Sequence, residues 1–494
     1  MTSDAEPKAE KTEAKAETKT EAKDNLVETK HTVMIGGEEV RYTVTTGTIV
    51  LKEETPDREK DFEGEKARAE FFFVAYTKDS NEGAKRPITF SFNGGPGSSS
   101  VWLHLGLLGP RRVLMEFDGG LPKPPYQLAD NEFTLLNETD LVFIDPVSTG
   151  YSRPAEGAKA KEFHGFKKDI HSVGDFIRLY TSRYERWLSP KFLIGESYGT
   201  TRAAALSGYL QERHGLYLNG IMLISSVLNF QTIEFTPGNE LPFALFLPSY
   251  AATAWYHRAL RTRKPLEKLL AEVEQFALNE YAPALMKGAA LTPRERKSIA
   301  AKLAGYTGLS LDYIERSDLR ILDMRFFKEL LRSQGRTVGR LDSRFLGIER
   351  DTLGETMSTD PSMTNIMGPY TAAFNAYIRS ELKFEKDIPY EILNEQVWPW
   401  SYAEHQNQFV YVAETLRQAM SVNPHLKVFV ANGYYDLATP YFATEYTFNH
   451  LGLDPSLQDN IEMSYYEAGH MMYIHAPALE ALKIDLTNFI KNAA

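Results

Sequence analysis

The sequence predicts an α/β fold with a central, mostly parallel sheet and a largely helical block inserted into it. Three observations carry this reading. Short apolar runs bounded by turn residues recur at Ile88-Thr89-Phe90-Ser91-Phe92, Leu141-Val142-Phe143-Ile144-Asp145, Lys191-Phe192-Leu193-Ile194 and Leu218 to Ser225, with helical spacing between some of them. Alternation of that kind is what a parallel sheet covered by helices requires. From about Asn229 to Leu393 the pattern turns helical, with charged faces and Pro-marked breaks, and strands return at Lys427-Val428-Phe429-Val430-Ala431 and near Ile461 to Tyr465. Finally, two of the strands run straight into glycine-rich turns.

Taken in order, residues 1–31 are mostly Ala, Glu, Lys and Thr without an apolar stripe. Such a segment can bury no face and is expected to be a disordered charged tail. Order is expected from Thr32. Thr32-Val33-Met34-Ile35, the turn Gly36-Gly37 and Val40 to Val44 read as a β-hairpin. Phe71 to Tyr76 reads as a further strand of the parallel sheet, and Phe163 to Leu188 as a helix. Leu241 to Trp255 is the richest apolar stretch, but Pro242 and Pro248 break it. It falls short of the ~18 residues a membrane span needs and reads as a buried or lid segment. The chain thus divides into a tail (1–31), a first part of the core (32–228), a helical cap insertion (229–393) and a second part of the core (394–494).

The 494 residues suffice for a large core, and the formal net charge of −11 argues against nucleic acid or an anionic membrane as a main partner. The absence of cysteine excludes disulfides, thiolate catalysis and Cys-based metal sites. No apolar h-region opens the sequence, so no signal peptide is expected within it.

The chemistry concentrates at strand ends. Gly195-Glu196-Ser197-Tyr198-Gly199 follows a strand and opens a helix through Ala203-Ala204-Ala205-Leu206. G-x-S-x-G in that context is the tight elbow that exposes a nucleophilic serine on an α/β-hydrolase sheet. Asn93-Gly94-Gly95-Pro96-Gly97 ends another strand, where the same fold draws a backbone N–H for its oxyanion hole. A phosphate-cradling loop is the competing reading, but G-x-x-x-x-G-K-[ST] is absent. In this fold the acid and then the histidine follow the serine. Asp436, after the strand Lys427–Ala431, and His470, in Glu467-Ala468-Gly469-His470-Met471, satisfy that order. His450, inside an expected helix, and His475, at the start of the last one, are the rivals; Asp145 ends a strand but precedes Ser197 and reads as structural. There is no H-E-x-x-H and no dinucleotide-type G-x-G-x-x-G, so neither metal nor cofactor is expected.

Together, Asn93-Gly94-Gly95-Pro96-Gly97-Ser98-Ser99, Asp145-Pro146 with Thr149-Gly150-Tyr151-Ser152, Gly195-Glu196-Ser197-Tyr198-Gly199 and Ala468-Gly469-His470-Met471 resemble the serine carboxypeptidases, as a bacterial-type member. The likeness spans most of 87–226 and 425–475. It implies an α/β-hydrolase fold, a Ser197-Asp436-His470 triad, and oxyanion-hole N–H groups from Gly95 and Tyr198. It further implies that Asn93 and Glu196 bind the free C-terminal carboxylate of a peptide substrate, and that the protein is exported, periplasmic or secreted. A glutamate facing a carboxylate helps only when protonated, which requires a raised pKa. Three departures stand out. Ser98 replaces a family cysteine, Leu107 replaces a second family glutamate, and Ala438-Thr439-Pro440 replaces a Cys-Asn pair. An esterase or acyltransferase on the same triad is the alternative enzyme, and a binding protein on an inactive scaffold the alternative class.

Overall fold

A computed structural model describes residues 22–54 and 64–494. Its centre is one sheet whose main path, in space, is β1-β2-β3-β5-β4-β6-β7-β8-β9. The strands are β1 (Asn25–Ile35), β2 (Glu38–Glu54), β3 (Glu65–Lys78), β4 (Ile88–Phe92), β5 (Asp140–Ile144), β6 (Lys191–Ser197), β7 (Gly220–Ser226), β8 (Lys427–Gly433) and β9 (Ile461–Tyr466). From β5 across to β9 all neighbours are parallel. The first three strands form an antiparallel extension. This is the α/β-hydrolase fold.

Two elements differ from the sequence reading. Phe71–Tyr76 lies in β3, which is antiparallel to both β2 and β5. An unbroken apolar run reports burial of both faces, and Phe71, Phe72, Phe73, Val74, Ala75 and Tyr76 are all buried; it does not report direction. In addition, β1 begins at Asn25 rather than Thr32, pairing Asn25 with Thr48 and Lys30 with Thr43. Its first half alternates exposed and half-buried positions at an edge, so ladder hydrogen bonds rather than apolar burial hold it, and composition conceals it. Residues 1–21 of the expected tail lie outside the described residues. The Gly36-Gly37 turn closes this hairpin with both glycines at positive φ (+56° and +86°), as a two-residue turn demands.

Apolar clusters cover both sheet faces. On one, α1 (Phe166–Arg183) and α2 (Tyr198–His214) bury Ile170, Val173, Phe176, Ala203, Ala204 and Leu206 against Phe90, Leu193 and Leu223. Between β7 and β8 the chain is mostly helical. There α3 (Leu241–Tyr256), α4 (Leu266–Phe276) and α5 (Pro293–Thr307) share a separate core with Tyr435, Leu437 and Tyr441. The apolar Leu241–Trp255 stretch is α3; Pro242 is tolerated in its first turn and Pro248 lies within it. A later helix of this block, α6 (Pro361–Ser380), instead buries Ile366, Tyr370, Phe374 and Tyr377 with Trp102 and Tyr76 on the other face of the sheet. The core shared by α3, α4 and α5 therefore does not extend to α6. Among the described residues no helix is long and apolar enough to cross a membrane.

Candidate active site

Ser197 is the last residue of β6 and caps α2, with φ +59° and ψ −130°. A left-handed φ is costly for a residue with a side chain, and such strain is characteristic of a nucleophile held up out of a sheet. The turn closes because its glycines carry no side chain: a Cβ on Gly195 would lie 2.2 Å from the Gly199 carbonyl oxygen. Tyr198 opens the helix, so its N–H has no intrahelical acceptor.

The loop after β4 lies directly against this elbow. A Cβ on Gly94 would stand 2.5 Å from the Tyr198 nitrogen and 2.7 Å from the Glu196 carbonyl oxygen, so the loop packs backbone against backbone on the elbow. The buried Arg202 fastens the loop, donating to the Asn93 carbonyl at 2.5 Å while its fork grips Asp169 at 2.8 and 3.1 Å. Asp145, fully buried, accepts from the Ser100 N–H and hydroxyl at 2.8 Å each. It fixes the segment after the loop. Burial pushes the Asp145 carboxyl up to about 6.

Asp436 and His470 come from the loops after β8 and β9. Tyr435 N–H donates to the Ala468 carbonyl at 3.0 Å, joining the two loops. His470 Nδ1 meets Asp436 Oδ2 at 2.7 Å. Asp436 also accepts from Ala438 N–H (2.7 Å), Thr439 N–H (3.0 Å) and the Thr439 hydroxyl (2.7 Å). The Ala438-Thr439-Pro440 departure thus furnishes donors that hold a carboxylate with no solvent exposure. With Nδ1–H committed to Asp436, the acceptor nitrogen of a neutral His470 is Nε2, and His470 and Ser197 line one cleft. Burial works against a charged ring, but the Asp436 carboxylate and Glu196 outweigh it, and the His470 pKa is raised. The rivals lie elsewhere: His450 is exposed and bonds the Tyr446 carbonyl, and His475 sits at the start of the last helix, α7 here (Ala476–Ala493).

Ser197, His470, Asn93, Gly95 and Glu196 line a single cleft of about 260 Å³. Within it, Asn93 Nδ2 donates to Glu196 Oε1 at 3.0 Å, and Asn93 Oδ1 accepts from Leu103 N–H at 3.2 Å. Glu196 is buried, and desolvation pushes its pKa up to about 7 against the opposing effects of His470, Tyr473 and Asn93.

The sequence reading missed several residues here. Tyr473 donates its hydroxyl to Glu196 Oε2 at 2.5 Å. Room for its ring comes from Gly106, where a Cβ would lie 2.4 Å from the Tyr473 ring and 2.6 Å from the Tyr370 hydroxyl. Leu107, beside it, is wholly buried in the apolar core. Asp342 accepts from Gly469 N–H at 3.2 Å, and the Leu341 carbonyl accepts from His470 N–H at 2.7 Å. Tyr473 lies three residues from His470, but nothing local marks it; Leu341 and Asp342 come from the inserted block.

The sheet, the strained serine elbow and the Ser197, His470 and Asp436 constellation define a member of the α/β-hydrolase class. More narrowly, residues 61–483 match the serine carboxypeptidase family model, and the chain belongs to the serine carboxypeptidase family. That match runs through the inserted block. The pheromone-processing carboxypeptidase KEX1 of Saccharomyces cerevisiae is 34% identical over 160 residues, which is 31% of this chain and 20% of that protein. The alignment therefore spans a fifth of this curated relative. Among solved structures, a proline iminopeptidase from Mycobacterium smegmatis aligns over 90% of this chain and 98% of its own, with 11% identity and a TM-score of 0.36. A monoglyceride lipase variant from Saccharomyces cerevisiae aligns over 90% and 96%, with 11% identity and a TM-score of 0.37.

Proposed function

We propose that this protein is a serine carboxypeptidase that removes the C-terminal residue of peptides through an acyl-enzyme. The observation that carries the reading is Glu196, buried beside Asn93 and immediately before Ser197, with its pKa pushed up to about 7. Below that pH it is a neutral acid able to donate a hydrogen bond to the carboxylate of the leaving residue, with the Asn93 amide beside it.

Ser197 Oγ attacks the carbonyl carbon of the last peptide bond and passes its proton to His470 Nε2. Asp436 steadies the imidazolium through Nδ1–H. The Gly95 and Tyr198 N–H groups take the negative charge that develops on the carbonyl oxygen. Collapse breaks the C–N bond, His470 gives its proton to the departing amine, and the Ser197 ester remains. Water then attacks the ester, His470 accepts its proton, and the shortened peptide leaves as Ser197 regains its hydroxyl hydrogen.

The test is a product analysis. An N-blocked peptide with a free C-terminus is expected to lose one residue at a time, and its C-terminal amide to turn over far more slowly at acid pH. Rapid cleavage of simple esters with no release of amino acid from any free-acid peptide would overturn this reading in favour of an esterase or acyltransferase.

A further inference from the structure

One charged group of the cleft takes no part in the chemistry above. Arg340 lines the same cleft as Ser197, Glu196 and His470, and it is solvent-exposed. Its backbone is pinned on both sides. Arg340 N–H donates to Asp360 Oδ1 at 3.1 Å, and its carbonyl accepts from Leu437 N–H at 3.0 Å. The next residue, Leu341, donates its N–H to the Ser362 hydroxyl at 2.9 Å and accepts from His470 N–H. A turn fastened to the catalytic histidine loop and to the start of α6 therefore presents this side chain.

The guanidinium itself is unclaimed. Among the described residues no hydrogen bond or ion pair engages it. Asp360 accepts from the Arg340 backbone, and Asp323 feels the charge without forming an ion pair. His470 also feels it. The other exposed ionic group lining the cleft, Glu395, belongs to the loop packed on Gly97, where Asn394 N–H donates to the Gly97 carbonyl at 2.9 Å. Around Arg340, Leu341, Met363 and Ile366 supply an apolar wall. Met363 and Ile366 lie on α6, which also carries the Tyr370 ring beside Glu196. Arg340 thus shares one cleft with Glu196, the group proposed above to receive the carboxylate of the leaving residue. An arginine with five donors and no protein acceptor, on a fixed backbone, is suited to grip a carboxylate with two parallel hydrogen bonds.

We infer that Arg340 is a specificity residue that binds a carboxylate of the leaving residue, either its α-carboxylate or an acidic side chain. The inference rests on the carboxypeptidase reading and deepens it: Arg340 adds a permanent positive charge to the cleft that holds Ser197 and Glu196.

The experiment compares kcat/KM of the wild type, Arg340→Gln and Arg340→Glu on N-blocked dipeptides ending in Leu, Glu or Lys, each as free acid and as amide. Loss of a charge-assisted contact predicts about a tenfold to hundredfold drop on the substrates that use it. A drop on all three free acids, with a much smaller one on their amides, assigns the contact to the α-carboxylate. A drop on the Glu-ending pair only, as acid and amide alike, assigns it to the side chain, and Arg340→Glu should then favour the Lys-ending substrate. Equal changes on every substrate, or none, overturn the inference. Calorimetric binding of the same dipeptides to Ser197→Ala, with and without Arg340→Gln, reads the contact in the absence of turnover. If the wild type cleaves no free-acid dipeptide, the functional reading fails, whereas wild-type cleavage with unchanged selectivity in the variants sinks only the role of Arg340.

Discussion

Replacing Glu196 with glutamine separates a carboxypeptidase from a general acyl hydrolase. Gln keeps the shape and a hydrogen-bond donor but never ionises. In the wild type the neutral fraction of a group with a pKa of about 7 falls from about 0.9 at pH 6 to about 0.01 at pH 9, by simple titration. Wild-type kcat/KM on a free-acid dipeptide, divided by that on its amide, should therefore fall about ninetyfold over this range. The same ratio for Glu196→Gln should stay flat. Both enzymes should gain activity on the amide as His470 loses its proton with rising pH. Stability carries the same signature. Folding raises this carboxyl from its ordinary 4.5 to about 7, so between those values the native state binds more protons than the unfolded one, and stability falls as pH rises. The loss amounts to about 3 kcal/mol above pH 7, and Glu196→Gln should be spared it. Parallel acid and amide profiles in the wild type, together with an unchanged pH dependence of the melting temperature in the variant, would refute the neutral Glu196.

Ser197→Ala should abolish turnover and labelling by a fluorophosphonate probe, and wild-type labelling of that variant would place the nucleophile elsewhere. Asp436→Asn should lower kcat by about 10⁴ because an amide donor at Nδ1 stabilises the wrong imidazole tautomer, with the proton on Nε2; near-normal turnover would show that another acid serves His470. Gly94→Ala forces a Cβ to within 2.5 Å of the Tyr198 nitrogen, so kcat should drop by about 10²–10³, as for a lost oxyanion donor, with KM little altered. Tyr473→Phe removes a hydrogen bond that favours ionised Glu196, so the alkaline fall of free-acid peptidase activity should move to higher pH; a shift to lower pH would contradict the assigned geometry. Deletion of residues 1–32 strips the Asn25–Thr32 half of β1 from β2 and should lower the melting temperature measurably more than deletion of residues 1–21, and equal melting temperatures would deny that half-strand any stabilising role.

Much of this site is legible in the sequence because its parts are local. Ser197, Gly95 and Asn93 sit in short motifs at strand ends, and the order of Ser197, Asp436 and His470 follows the chain. What supports them is not local. Thr439 looks like a departure from the family pattern, yet its hydroxyl and N–H hold Asp436. Tyr473 and Gly106 are distant in sequence and meet only because the space of a missing side chain admits a ring. The helical pattern of the block from Asn229 to Leu393 does not say which core each helix joins, so the burial of Pro361–Ser380 with Trp102 and Tyr76 rather than with α3, α4 and α5 emerges only in three dimensions. The early start of β1 is hidden for the opposite reason: its charged, alternating residues resemble the tail before them, and edge pairing makes little demand on side chains.

The hydrogen bond from His470 N–H to the Leu341 carbonyl, with Gly469 N–H on Asp342, ties the base to a segment outside the sheet core. The inserted block thus holds the His470 loop in place as well as lining part of the cleft. A chimera that exchanges this block for a relative's would have to reproduce two acceptors beside residues 469 and 470, or inherit a correctly folded sheet whose histidine is free to swing. Transplanting the inserted block to alter the cleft and disturbing the position of His470 are, on this geometry, one operation.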